Sequence, residues 1–481
     1  MRARDICLVA PGLRTRRRWE IALYLSLLFG VGLLVFETLH ARTWSGLYGD
    51  NKAQFGRYGD NKAQFGRYGD SMGQFGLHGD RVQSDTVEDD ERQEVELTEF
   101  PGTRPESIAS RKSRVICLCS LWSKIAFRPL VSHWRVSRKH QFLYCPVEKT
   151  ASTFWRRFLH QLEYTSPMRS PFDVDVKSLY ASRDKNLEVT ESGEDLAALW
   201  SNTTKLLFVR DPYSRLYSAY VDKLLSPNPT YWNNWGKTAI LKYRNTTAEA
   251  VRGDSCGDDV TFPEFIRYAV SQDGQSDTHV MSIYRLCTPC KVNYTVIGKM
   301  ETFSRDTRHL LSVLRINESQ LGLERMADDV TRDAVVDSVK DAMSRPWLDE
   351  TLRCITRADV VRRIWRKLQI RGFVSWRFNY GIDPQTVTAM DGASLVEVLK
   401  QAVRASTNRT ELGIQKRQAM VEAFSRVTPS QIAAIKRTFF LDFQMFDYDS
   451  SPPSLANSRT GVAAMTDAFD WRKDWDLSPA L

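Results

Sequence analysis

The stretch of residues 141–159, QFLYCPVEKTASTFWRRFL, constrains the fold of this chain more than any other. An apolar run that favours a buried strand leads into a short polar turn, and apolar residues at helical spacing follow. A strand, a loop with a lysine and small hydroxyls, and a helix form the layout of a phosphate-binding loop, because a helix start offers free N–H groups and a positive dipole end. The pattern GxxxxGK[ST] is absent, so the stretch is not a Walker motif.

A second unit with the same layout covers residues 206–224. An apolar run at 206–209 predicts a buried strand, Pro212 forces a turn, and helical spacing resumes after it. The turn and the first part of the helix carry Arg210, Arg215 and Ser218. Arginine suits a phosphate because its planar fork donates two hydrogen bonds at once. Parallel strands would bring both loops to one edge of the sheet, and residues 294–297 predict a third strand.

The N-terminal segment predicts a membrane anchor. Residues 1–20 are arginine-rich and are interpreted as a cytoplasmic tail, and residues 21–39 as a short transmembrane signal anchor. This orientation puts the remainder of the chain in the lumen. The alternative is a cleaved signal peptide, but no clear A-x-A site follows.

Residues 40–113 are interpreted as a flexible stem. Decapeptide repeats cover about 45–80, and the units at 51–60 and 61–70 are identical (NKAQFGRYGD). Their Gly, Asn, Gln and Asp content does not provide enough apolar surface for a compact domain. A binding or self-association array is the alternative reading. An acidic linker follows at 81–100.

The charge pattern suggests an anionic partner without identifying it. The chain has 481 residues and a net charge of +9, and residues 111–140 contain no carboxylate. Nucleic acid, an anionic polysaccharide and a plain solvated face are all compatible with that stretch. In a luminal protein the polysaccharide is favoured over nucleic acid.

Cysteines and sequons agree with the secretory pathway. The pair Cys287 and Cys290 forms a C-x-x-C motif, for which structural disulfides are favoured over a redox or zinc site, with the connectivity left open. Five N-x-[ST] sequons occur in the chain. They are expected in a luminal glycoprotein.

The C-terminal part is predicted to be mainly helical. Several helical patterns occupy residues 320–427, and Gly372 stands where a C-cap belongs. Thr428 and Pro429 begin a capping-box helix that is predicted to run to about Leu441. Residues 449–481 are predicted to be disordered.

Four motifs, in order, make the chain resemble the membrane-bound Golgi carbohydrate sulfotransferases, which include the chondroitin and dermatan 4-O-sulfotransferases. They are residues 145–155 (CPVEKTASTFW), 208–220 (FVRDPYSRLYSAY), 286–299 with the C-x-x-C pair, and 442–448 (DFQMFDY). The second motif matches the family pattern FVRdPxxRLxSAY almost throughout. Glu148 stands where the family usually has proline, and residues 279–282 (HVMS) stand where it typically has H-W-x-P.

The resemblance implies an α/β fold of the P-loop-like sulfotransferase type, with a central parallel sheet flanked by helices and a single N-terminal transmembrane helix. It implies a luminal catalytic domain over 114–448 with a helical insertion at about 320–427, in a single-pass type II protein of the Golgi membrane. The implied donor is 3′-phosphoadenosine 5′-phosphosulfate (PAPS). Its expected contacts are, for the 5′-phosphosulfate, Lys149, Ser152 and Thr153 with Thr150 and Ala151 of the same loop, and, for the 3′-phosphate, Arg210 and Ser218 with Arg215 as a third contact.

The implied reaction is transfer of a sulfuryl group to a sugar hydroxyl of a glycosaminoglycan or glycoprotein glycan, with position 4 of GalNAc in chondroitin or dermatan as the expected acceptor. Lys149 is the expected catalytic charge stabiliser. His279 is the candidate catalytic base, Glu163 and Asp173 are alternatives, and a structural histidine is the competing reading of His279. No metal is required.

Two other classes of function compete with this one. A nucleotide-dependent kinase would need a Walker or Gly-rich loop and Mg²⁺ ligands, and neither is visible. A non-catalytic luminal protein that binds anions or glycosaminoglycans on a degenerate sulfotransferase fold is the remaining alternative. A homodimeric state is left open.

Overall fold

The computed structural model describes residues 106–121, 133–164, 170–176, 179, 187–189, 196–244, 256–452, 455 and 468–473. The predicted cytoplasmic tail, anchor, repeats and acidic linker lie outside the described residues. All described residues belong to one compact unit. Within the described ranges, no helix is both long and apolar enough to cross a bilayer.

The described residues contain one four-stranded sheet, with its strands in the order of the chain. The strands are β1 (Arg135–Ser137), β2 (Phe142–Cys145), β3 (Thr204–Val209) and β4 (Val296–Lys299). Strands β2, β3 and β4 are parallel, which confirms the three predicted strands and their common direction. The sheet is mixed rather than wholly parallel as expected, because the chain turns back between β1 and β2 and pairs them antiparallel.

Helices account for most of the remaining described residues. The α-helices are α1 (Ile108–Leu121), α2 (Ser152–Glu163), α3 (Leu196–Asn202), α4 (Pro212–Tyr220), α5 (Pro229–Tyr231), α6 (Lys237–Tyr243), α7 (Phe262–Ala269), α8 (Ile283–Cys287), α9 (Phe303–Leu314), α10 (Met326–Met343), α11 (Trp347–Thr351), α12 (Arg357–Ile370), α13 (Pro384–Ala389), α14 (Gly392–Ala405), α15 (Arg409–Ser425), α16 (Pro429–Thr438) and α17 (Phe440–Met445). Two π-helical turns continue α4 and α5, at Val221–Leu225 and Trp232–Gly236.

The sheet separates two apolar layers because successive strand residues point to opposite faces. On one face, Phe142, Leu206 and Phe208 pack against the apolar side of α2 and against α9. On the other face, Leu143 and Leu207 join a larger core that includes residues of α1, α4 and α7. Helices therefore cover both faces of the sheet, as expected for an α/β protein with parallel strands.

Three disulfides of the described residues connect distant parts of the chain. They are Cys119–Cys290, Cys145–Cys287 and Cys256–Cys354. The two cysteines of the C-x-x-C motif thus bond to different partners and not to each other, which confirms the structural reading of that motif. The Cys145 bond anchors the carboxyl end of β2, immediately before the lysine loop.

The C-terminal part agrees with the predicted helices and differs at two places. Gly372 has a positive φ of 73° just after α12, the conformation expected of a C-cap glycine. The capping-box helix that starts after Thr428 ends at Thr438 instead of about Leu441, and a short helix follows Phe439. Within the predicted disordered tail, Ala468 and Trp471 are buried in the core, so this short segment is ordered.

Candidate active site

The loop between β2 and α2 has an open helix start. Lys149 and Ala151 both adopt the left-handed conformation, with φ values of 70° and 58°. Ala151 is the N-cap of α2, and no side chain of the described residues caps this helix. Its first N–H groups therefore point toward the loop without a side-chain acceptor, which is the arrangement that binds an anion.

The loop is held by its own side chains and by Glu148. The buried Thr150 hydroxyl donates to the Val147 carbonyl over 2.8 Å. The Glu148 carboxylate accepts hydrogen bonds from the Ser152 hydroxyl at 2.5 Å and from Arg156 at 2.6 Å. Burial raises the pKa of Glu148, but the charge of Arg156 and these hydrogen bonds outweigh burial and hold that pKa well below its usual range. Glu148 is therefore ionised, and its carboxylate accepts the hydrogen bond that the Ser152 hydroxyl donates.

Lys149 points to a carboxylate on the neighbouring unit. Its Nζ lies 2.8 Å from Oδ2 of Asp222, which lies in the π-helical turn after α4. Burial lowers the pKa of Lys149 to about 8, although the charge of Asp222 acts in the opposite direction. Asp222 also lies 3.2 Å from Nζ of Lys223 and 3.3 Å from Nζ of Lys367.

The second unit contributes side chains next to the lysine loop. Arg210, at the end of β3, donates from Nη1 to the Lys149 carbonyl over 3.2 Å. Asp211 caps α4 by accepting from the Ser214 N–H at 2.8 Å. Ser218 lies on α4 and is half-buried, as is Thr153 on α2. The structure thus brings Arg210 to the lysine loop, as the parallel strands predict.

Arg215 lies within the framework of the site. Its side chain is 2% exposed, and it donates to the carbonyls of Glu148 at 3.0 Å, Met281 at 2.6 Å and Thr278 at 3.0 Å. The guanidinium therefore connects the lysine loop to the turn that precedes α8. Three of its five N–H donors are used for backbone carbonyls.

His279 lies on the turn that Arg215 holds. Its Nδ1 is 2.8 Å from Oδ1 of Asp277, and the same oxygen accepts the His279 backbone N–H at 2.9 Å. Since the carboxylate is an acceptor, the proton belongs on Nδ1, and Nε2 keeps its lone pair. The Tyr231 hydroxyl lies 3.2 Å from Nε2 and 3.3 Å from Nδ1 of the same ring. Trp235 donates to the other Asp277 oxygen over 3.0 Å, which fixes the carboxylate.

The two alternative bases have other contacts. Glu163 is the last residue of α2, about 16 Å along the helix axis from the loop, and it accepts from the Ser137 hydroxyl. Asp173 accepts the Ser170 backbone N–H in a capping box. Both carboxylates therefore hold local structure, and Glu163 does so at the far end of α2.

Several residues near Lys149 have no counterpart in the sequence prediction. Asp222 and Lys223 directly follow the second motif, so their position in the chain could have indicated them. Lys367 comes from α12, 145 residues after Asp222, and no local pattern around it signals a site. Two arginines of the basic stretch 111–140 are not available to an anionic partner. Arg111 and Arg114 are buried and form ion pairs with Asp306 and Glu106, respectively.

The fold and the loop define a class of protein: an α/β protein in which a helix start without a side-chain cap and a cationic cluster lie at the carboxyl edge of parallel strands. Among the described residues, no group of three His, Cys, Asp or Glu side chains could hold a metal ion. Residues 132–367 match the model of the Sulfotransferase family.

The chain is also similar to carbohydrate sulfotransferases. It is 30% identical to carbohydrate sulfotransferase 11 of Mus musculus over 220 residues, which are 44% of this chain and 59% of the relative. It is 35% identical to carbohydrate sulfotransferase 8 of Homo sapiens over 206 residues, 41% of this chain and 47% of the relative. It is 36% identical to carbohydrate sulfotransferase 14 of Mus musculus over 190 residues, 39% of this chain and 48% of the relative. The chain thus spans about half the length of these curated relatives, and no solved structure matches it.

Proposed function

We propose that this protein transfers a sulfuryl group from PAPS to a carbohydrate hydroxyl, with position 4 of GalNAc in chondroitin or dermatan as the acceptor. The observation that carries the proposal is the uncapped start of α2 beside Lys149, with Arg210 bound to the same loop. Together they offer N–H donors and two cations to a nucleotide that carries phosphate at both ends.

The donor's contacts follow from the two strand–loop–helix units. The 5′-phosphosulfate lies against the start of α2, where the backbone of Thr150 and Ala151 and the side chains of Lys149, Ser152 and Thr153 surround it. Arg210 and Ser218 take the 3′-phosphate. Arg215, instead of adding a third contact, orients the loop through its bond to the Glu148 carbonyl.

The transfer is an in-line displacement at sulfur. The acceptor oxygen forms a bond to sulfur while the bond from sulfur to the phosphate oxygen breaks, and negative charge grows on the leaving phosphate. Lys149 stabilises that charge. The acceptor proton goes to Nε2 of His279, and the nearby Tyr231 hydroxyl is positioned to relay it. Asp277 orients the imidazole and stabilises its protonated form.

The cellular setting is part of the same proposal. Disulfides form in oxidising compartments, and the three that the described residues contain fit a luminal domain. The four sequon asparagines that the structure describes, Asn202, Asn293, Asn317 and Asn408, are all exposed and therefore accessible to glycosylation. We propose a type II protein of the Golgi membrane, anchored by residues 21–39.

Disaccharide analysis tests the function directly. The full-length protein is incubated with PAPS and desulfated chondroitin, dermatan or heparosan, and the products are digested and separated. We expect 4-O-sulfated GalNAc from chondroitin or dermatan. Transfer to another sugar would identify that sugar, and not GalNAc, as the acceptor. Binding of adenosine 3′,5′-bisphosphate (PAP) without transfer to any carbohydrate would instead support the non-catalytic, anion-binding alternative.

The role of His279 is tested by His279→Gln and Asp277→Asn. We expect His279→Gln to lower kcat by about 10²-fold or more, the range of general base catalysis, without changing PAP affinity. Asp277→Asn should lower kcat by a comparable factor, because the amide N–H donates to Nδ1 and places the imidazole proton on Nε2, the wrong tautomer for a base. An unchanged kcat in His279→Gln would assign this histidine a structural role.

A further inference from the structure

Three lysine ammonium groups converge on one carboxylate beside the loop. The oxygens of Asp222 lie 2.8 Å from Nζ of Lys149, 3.2 Å from Nζ of Lys223 and 3.3 Å from Nζ of Lys367. Three positive charges against one negative charge leave this group of four side chains, the lysine cluster, with a net charge of +2. A structural ion pair would need only one of these cations.

The three lysines come from three different elements. Lys149 lies in the loop before α2, Lys223 in the π-helical turn after α4, and Lys367 in α12. A π-helical turn is rare and often occurs at a functional site, and here it brings consecutive residues, Asp222 and Lys223, to Lys149. Lys367 is also within 3.2 Å of the Ser226 hydroxyl, which fixes its position.

The lysine cluster is buried enough to be costly and open enough to admit a ligand. The exposed fractions are 7% for Lys367, 16% for Lys149 and 20% for Lys223, whereas Asp222 is 31% exposed. Burial lowers the pKa of Lys367, although the charge of Asp222 opposes this. The three ammonium groups thus belong to largely buried side chains, and the carboxylate belongs to the most exposed of the four.

We propose that Lys223 and Lys367, together with Lys149, bind the phosphate of the donor from which sulfate is transferred, and that Asp222 is an internal counterion whose place a donor phosphate oxygen takes. A carboxylate and a phosphate both present oxygen acceptors, so the positions that the Asp222 oxygens hold are positions that an anionic ligand can hold. The inference rests on the proposed use of PAPS and extends the donor site to α12, beyond both sequence motifs.

The counterion explains how such a site exists without ligand. Three close ammonium groups would repel one another, and Asp222 offsets that repulsion while the donor is absent. The phosphosulfate group of the donor carries two negative charges, against one on the carboxylate, and offers more acceptor oxygens. It therefore competes effectively for the same donors, and Asp222 can turn toward the solvent on its exposed side.

The test measures the affinity of the full-length protein for PAP by calorimetry, with Lys367→Met and Lys223→Met as the variants. Methionine keeps the length of the side chain and removes its charge. We expect each variant to bind PAP about tenfold to a hundredfold more weakly, the range of one charge-assisted hydrogen bond. Lys400→Met, which removes a lysine that pairs with Glu397 on α14, is the matched control and should bind PAP like the wild type.

Asp222→Asn should change the affinity for PAP in the opposite direction from the lysine variants. Without the competing charge, PAP should bind about tenfold more tightly, while the ligand-free protein should melt at a lower temperature because the three lysines are no longer neutralised. If Asp222 only forms a structural ion pair, Asp222→Asn will lower the melting temperature without raising the affinity for PAP. This outcome would overturn the counterion role.

The failure of this inference differs from the failure of the proposed function. If Lys149→Ala and Arg210→Ala abolish PAP binding but Lys367→Met and Lys223→Met leave it unchanged, the extended phosphate site is overturned and the proposed function stands. If the wild type neither binds PAP nor transfers sulfate, the proposed function itself fails. Lys367→Arg keeps the positive charge and should retain most of the affinity for PAP. Comparing it with Lys367→Met distinguishes the loss of the charge from a general loss of folding.

Discussion

The two strand–loop–helix units share a topology and differ at the start of their helices. In the first unit, Ala151 precedes α2 in a left-handed conformation and no described side chain caps the helix. In the second, Asp211 caps α4 through the Ser214 N–H and Pro212 occupies the first turn. The first helix start is thus free to bind an anion, whereas the second is closed by its own carboxylate.

This difference assigns the two units different tasks. An open helix start offers several N–H donors to a group whose charge changes during a reaction, so the first unit suits the phosphosulfate. A capped helix offers only the side chains on its surface, and Arg210 is suited to hold a phosphate that does not react. The strand–loop–helix layout that the two units share conceals this division.

The largest expected effect is that of Lys149→Ala. Removing the cation at the open helix start should lower kcat by about 100-fold or more, because the leaving phosphate loses its charge stabiliser. The affinity for PAP should fall less than kcat does. Lys139→Ala, at an exposed lysine before β2, is the control and should leave kcat unchanged. Equal activity of Lys149→Ala and the wild type would mean that the first unit does not stabilise the leaving phosphate.

The pH dependence sharpens the same prediction. Because the pKa of Lys149 is about 8, raising the pH through that value deprotonates the amine, and kcat/KM for PAPS, which reflects the free enzyme, should fall above pH 8. Stability should change in the opposite direction: the unfolded lysine has a pKa near 10.4, so the folded state binds fewer protons between these values and gains stability as pH rises. A kcat/KM for PAPS that stays constant to pH 9.5 would contradict this assignment.

Arg210→Ala should affect binding more than chemistry. Loss of its charge-assisted hydrogen bonds should raise the KM for PAPS by about tenfold to a hundredfold, with a smaller change in kcat. Arg210→Lys should recover only part of the affinity, because an ammonium cannot replace the planar fork. If Arg210→Ala lowered kcat as strongly as Lys149→Ala does, the proposed division between the two units would be wrong.

The smallest expected effects are changes in the free energy of unfolding when the helix starts themselves are altered. Asp211→Ala should lower the free energy of unfolding by about 1 kcal/mol, the usual cost of losing an N-cap. Ala151→Gly should raise it by about 0.5–1 kcal/mol, because glycine tolerates the left-handed conformation that alanine disfavours. Chemical denaturation measures both. Destabilisation of both variants would mean that the two helix starts do not differ as described.

The sequence alone determined the elements whose signals are local. The apolar runs at 142–144 and 206–209 are β2 and β3, and the helical spacing after each is α2 and α4. The positions of Lys149 and Arg210 at the ends of these strands followed from the same patterns, since parallel strands bring their carboxyl ends to one edge. Periodicity and turn chemistry were sufficient for these features because neighbouring residues carry them.

Only the tertiary structure decided which distant residues complete the site. The disulfide partners of Cys287 and Cys290, the bonds from Arg215 to three carbonyls, and the arrival of Lys367 from α12 all join residues far apart in the chain. No local pattern encodes such contacts, because packing of the apolar layers sets them. The loop of residues 141–159 therefore identifies an anion site, while the surrounding fold determines that its lysine meets Asp222 and two further lysines.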